Sequence, residues 1–63
     1  MNLKKILAID FGQKRIGLAM GDSESNIATP LKTIKNNGYE NNSLEIAEIV
    51  KEWQVNLIVL GKP

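Results

Sequence analysis

The sequence contains neither cysteine nor histidine. Disulfides, thiol nucleophiles, imidazole general bases and zinc sites built from those ligands are therefore excluded. Long apolar runs are missing too. The opening run Ile6-Leu7-Ala8-Ile9 is stopped by Asp10, too soon for an export signal, and nothing approaches the roughly 18 apolar residues of a membrane span. Charge of one sign is also lacking: eight Lys and Arg stand against seven Asp and Glu, which argues against a polybasic nucleic-acid arm and against an acidic tail. From the short opening run and the lack of a membrane span we expect a cytoplasmic protein with no membrane contact; the missing cysteines say little about compartment.

What is present fits one small domain or a piece of one. A chain of 63 residues hides only about 60% of its unfolded surface, and a core of this size rarely supplies more than about 3–5 kcal/mol of net stability without a staple. The charges are unevenly placed. Residues 1–35 carry six bases and three acids, whereas residues 36–63 carry two bases and four acids, so the first half is the anion-facing side.

Ile6-Leu7-Ala8-Ile9, closed by Asp10 and Gly12, has the pattern of a short strand buried on both faces. Residues 15–21 alternate Ile16, Leu18 and Met20 against Arg15, Gly17, Ala19 and Gly21, as a hairpin partner would. Residues 26–34 read as a third strand, which Pro30 sends to a sheet edge because it cannot donate a ladder hydrogen bond. Residues 35–41 form a polar loop. Asn42 stands three residues before Glu45 like a helix cap, and Ile46, Ile49, Val50 and Trp53 recur at helical spacing, a stripe that faces a sheet with Trp53 filling the seam. Residues 55–60 form a second, nearly unbroken apolar run that reads as a buried strand parallel to the first, ended by Gly61-Lys62-Pro63.

The order β-β-β-α-β, with a hairpin, a short turn and a helical crossover, is satisfied by a mixed sheet of order 3-2-1-4. That order makes the two unbroken apolar strands neighbours and leaves the proline strand at the edge. Asp10, the loop after Ile34, the helix start and Gly61-Lys62 then share one end of the sheet, where ligands of open α/β sheets bind. Asp22, on the returning strand, lies far from Asp10 and cannot share a metal with it.

Asp10 is the focal residue. Its carboxylate either closes the Phe11-Gly12 turn or, held buried at the lip of the central strand, presents oxygen ligands to a hard cation. Gly12 and Gly17 either shape the hairpin or let a phosphate approach. Lys14, Arg15 and Lys62 are either solvated or phosphate contacts, and the forked Arg15 is the best suited of them.

The string Ile9-Asp10-Phe11-Gly12-Gln13-Lys14-Arg15-Ile16-Gly17-Leu18-Ala19 resembles the opening of the YqgF/RuvX family of RNase H-like Holliday junction resolvases, whose pattern runs Asp-x-Gly-x-x-Arg-x-Gly-x-Ala. Gly21-Asp22, Ala28-Thr29-Pro30-Leu31 and Ile58-Val59-Leu60-Gly61-x-Pro63 extend the likeness along the chain; Lys62 stands where Leu is usual. The resemblance implies an RNase H-like α/β fold and a metal-dependent nuclease of structured nucleic acid, acting in pre-16S ribosomal RNA maturation or junction resolution. It implies Asp10 as first catalytic carboxylate and ligand of Mg²⁺ or Mn²⁺, and Arg15 as the motif arginine that either holds the active-site turn or touches substrate; Gly12, Lys14 and Lys62 join Arg15 as candidate substrate contacts on their own chemistry. Family members run to about twice this length, with their other catalytic acids after the Gly-x-Pro segment. Residues 1–63 are then the N-terminal half of a single RNase H-like domain, incomplete because its C-terminal strand and helices are absent. That half is expected to be inactive alone and to self-associate through an exposed sheet edge. Two other functions compete: an ATP-binding domain of the actin, sugar-kinase and chaperone type, whose first turn usually continues with Gly or Thr/Ser where Gln13-Lys14-Arg15 stands here, and a noncatalytic nucleic-acid-binding module.

Overall fold

Alternating apolar residues and one helical stripe assemble a four-stranded sheet covered on one face. The computed structural model describes residues 4–24 and 28–61. The elements are β1 (Lys5–Phe11), β2 (Arg15–Asp22), β3 (Thr29–Lys35), α1 (Tyr39–Trp53) and β4 (Leu57–Gly61). The sheet has the expected order, β3-β2-β1-β4. β2 runs antiparallel to β1 and β3, and β4 runs parallel to β1. Of the expected third strand, Asn26 and Ile27 lie outside the described residues, as do Lys62 and Pro63.

Side chains alternate across a strand, and the core follows from that rule. Leu7 and Ile9 of β1, Ile16 and Leu18 of β2, Ile34 of β3 and Ile49 of α1 form one buried cluster, with Ile46, Val50 and Val55 packed against it. Burying each such side chain contributes about 1.5–3 kcal/mol. Ile6, Ala8 and Asp10 alternate with the buried residues of β1, as Arg15, Gly17 and Ala19 do on β2, so they occupy the face opposite α1. Pro30 sits in edge strand β3 opposite Ala19, and the β2–β3 register shifts between Leu18 and Ala19. Leu31 is left without a partner there, a bulge beside a proline on an edge strand, where a missing N–H is tolerated.

Three details of the fold differ from the sequence reading. The helix begins at Tyr39, after Gly38 at φ 94°, with no side-chain cap, so Asn42 is a buried residue within the first turn and not the cap. Trp53 is 41% exposed at the end of α1 rather than filling the seam. The β4 residues expected as a buried strand are exposed, Leu60 by 66%, because β4 forms an outer edge. No helix among the described residues is long and apolar enough to cross a membrane.

Register between β1 and β4 is set just before both strands. Asn56 accepts from the Lys5 amide through Oδ1 at 2.8 Å and donates its own amide to the Lys5 carbonyl at 2.9 Å. This double bond to one residue fixes Ile6 opposite Leu57 and brings Gly61 opposite Asp10.

Candidate active site

Asp10 pairs with Gly17 on one side and Gly61 on the other. Neither neighbour has a side chain, so the carboxylate stands between two gaps at the end of the central strand. A Cβ built on Gly17 would meet only the Cβ of Asp10, at 3.9 Å. Asp10 is exposed rather than buried, a correction to the sequence reading that follows from these small neighbours. Its carboxylate accepts no hydrogen bond and forms no ion pair with a described residue. The turn beyond it is closed without it.

That closure falls to Gly12, whose amide donates to the Arg15 carbonyl at 2.8 Å. A Cβ on Gly12 would come within 2.6 Å of the same oxygen, a distance no side-chain-bearing residue tolerates. Gly12 is thus required by the turn, whereas Gly17 leaves open room beside Asp10. A depression of about 380 Å³ occupies this face, with Ala8, Gly17 and Ala19 in its lining, Asp10 and Gly61 at one end and Pro30 and Thr33 on the β3 side.

Helix and loop hold the turn from the β3 side through asparagine amides. The Asn36 amide donates to the Lys14 carbonyl at 2.9 Å, and Asn36 Nδ2 donates to the Gly12 carbonyl at 2.9 Å. Asn42 Nδ2 in turn donates to Asn36 Oδ1 at 2.8 Å, and Asn42 Oδ1 accepts from the Asn37 amide at 2.9 Å. Asn42 is only 8% exposed, and these partners explain how a polar side chain is buried there at little cost. The sequence reading placed Asn36 and Asn37 in a polar loop and Asn42 at a helix cap, but not their reach to the hairpin, which only tertiary contact reveals.

Gly12, Lys14 and Arg15 lie in and beside the turn beyond Asp10, while the predicted contact Lys62 lies outside the described residues. Asp22 pairs with Lys5, five residues along the ladder from the partner of Asp10, or about 17 Å at 3.4 Å per residue, so the two carboxylates are separate. Asp22 Oδ1 accepts from the Glu24 amide at 2.9 Å. Among the described residues no three acidic side chains gather as a metal cage. Asp10 supplies carboxylate oxygens suited to a hard cation, which commonly takes one or two carboxylates along with waters and substrate phosphates.

Residues 4–63 match the family described as RuvX, Holliday junction resolvase. The chain belongs to that family. Curated relatives of this RuvX-family chain carry the name "Putative pre-16S rRNA nuclease". The protein of Shewanella oneidensis is 46% identical over 63 residues, covering 100% of this chain and 45% of its own length. That of Endomicrobium trichonymphae is 44% identical over 97% of this chain and 44% of its own length, and one from Vibrio vulnificus is 47% identical over 95% and 43%. The RuvX-family chain thus spans less than half the length of these relatives.

Proposed function

We propose that this chain is the N-terminal half of an RNase H-like, metal-dependent nuclease of structured nucleic acid, with pre-16S ribosomal RNA precursor as substrate and Asp10 as the first metal-holding carboxylate. The carrying observation is the exposed Asp10 carboxylate at the strand tip, unbonded to any described residue and flanked by Gly17 and Gly61. Family membership and the names of the relatives support the substrate class.

The residues fit Mg²⁺ or Mn²⁺ as one part of a ligand set completed by water, substrate phosphate and acids outside this chain. Such a dication activates water and neutralises charge building on the scissile phosphate. Asp10 supplies the fixed carboxylate. Gly12 sets the turn, Lys14 and Arg15 bind phosphate oxygens, and the asparagine relay keeps that turn against β3. With one carboxylate, the 63-residue chain is inactive alone, and its uncovered β4 edge makes it self-associate.

The test grafts this chain onto the C-terminal remainder of the Shewanella oneidensis relative. The chimera is expected to cleave structured precursor RNA in Mg²⁺, with activity abolished by EDTA or by Asp10→Asn, while the 63-residue chain alone shows none. An Asp10→Asn chimera that cleaves as well as its parent overturns the assignment of Asp10.

A further inference from the structure

Arg15 and Lys35 are directly opposed in the β2–β3 ladder. Like charges in that position destabilise a sheet, and neither residue forms an ion pair with a described acid. Lys14 precedes Arg15 in the turn, and the three cations border one cleft of about 670 Å³ whose lining also includes Gln13, Thr33 and Asn36. No acidic residue lines it. The walls are fixed: the two Asn36 hydrogen bonds to Lys14 and Gly12 join the end of β3 to the hairpin turn, and Asn42 holds Asn36 from the helix. Strand alternation puts Arg15, Thr33 and Lys35 on the face that carries Asp10. Thr33 lines both this cleft and the depression beside Asp10, so the two form one continuous surface.

We infer that Lys35, with Arg15 and Lys14, forms a preorganised clamp for the phosphodiester backbone of the nucleic acid, on the β3 side of Asp10. The inference rests on the proposed nuclease reading and extends it to a residue and a direction. β3 lies two strands from β1, roughly 10 Å at 4.8 Å per strand, so Lys35 engages a phosphate flanking the one at Asp10. The substrate strand then crosses the open face from the tip of β4 over Asp10 toward the end of β3. A bound polyanion relieves the repulsion between Arg15 and Lys35, which explains why two unpaired cations are held face to face.

Binding of a hairpin RNA to the protein in EDTA, followed across a series of salt concentrations, reads this contact without cleavage. Losing one phosphate contact reduces the slope of log K against log salt by about 0.7 to 0.9. Lys35→Gln is expected to do so and to weaken binding uniformly across RNA sequences. Lys35→Arg should retain the slope, and Lys51→Gln, on the exposed last turn of α1, should leave it unchanged. Circular dichroism of each variant separates lost contact from lost fold. An unaltered slope in a folded Lys35→Gln protein, an equal loss in Lys51→Gln, or failure of the parent to bind RNA each overturns the clamp. Cleavage by the chimera judges the nuclease reading separately. A clamp that fails beside an active, Asp10-dependent chimera leaves that reading intact, and an inactive chimera beside a Lys35-dependent slope rejects the nuclease and keeps the clamp.

Discussion

Two glycines of the hairpin, five residues apart, answer to different physics. At Gly12 the obstacle is backbone, since the Arg15 carbonyl would lie 2.6 Å from an added Cβ and cannot rotate away as a side chain could. Gly12→Ala should therefore destabilise the fold by about 1–3 kcal/mol, the usual cost of forcing atoms into filled space. It should also displace Arg15. At Gly17 the added methyl meets one side-chain carbon at ordinary contact distance, and a strand gains by losing the conformational freedom of glycine. Gly17→Ala should leave stability unchanged or raise it by up to about 1 kcal/mol, while filling space beside Asp10. Urea denaturation of both variants, with cleavage by the corresponding chimeras, checks the pair: loss of stability at position 12, and reduced activity in a fully stable protein at position 17. A destabilised Gly17→Ala would mean that the face beside Asp10 is packing space and not a site.

The helix shows where local sequence signals mislead. Its last turn closes with Gln54 at φ 54°, ψ 51°, its amide directed to the Lys51 carbonyl and the Val55 amide bonded to the Val50 carbonyl at 3.0 Å. This is the two-bond closure that usually has glycine in the left-handed position. A side chain there costs about 1 kcal/mol, so Gln54→Gly should stabilise the protein by roughly that amount, read as a higher midpoint in urea with an unchanged slope. The stripe Ile46, Ile49, Val50 was legible because helical periodicity depends only on spacing. The start was not. Asn42 followed by Glu45 looks like a cap in sequence, yet the Asn42 side-chain carboxamide is engaged by Asn36 and Asn37, and the chain enters the helix through Gly38 instead. Trp53 carries the right spacing but falls at the last residue of the helix, where it is left partly exposed.

On the scale of the molecule, the sheet was readable because few topologies are compatible with its connections, and Pro30 decided which strand took one edge. The site was half legible: Asp10 and the turn were named by motif and strand end, whereas Lys35 looked like the start of a loop until its register opposite Arg15 was known. The other edge carries the largest consequence. Leu57, Ile58, Val59 and Leu60 are between 45% and 66% exposed on an outer strand whose free backbone groups point away from the sheet. A row of unpaired amides and carbonyls beneath four aliphatic side chains is a template for another strand. The chain should therefore associate through β4, with a sedimentation coefficient that rises with concentration. Val59 lies opposite Ala8 on the uncovered face, so Val59→Lys adds charge to the edge without entering the core and should shift the population to monomer. If the parent sediments as a monomer across the concentration range, the edge is protected in a way its exposure does not convey. If Val59→Lys associates as the parent does, the contact lies elsewhere, with the exposed Leu44 on α1 the next surface to alter.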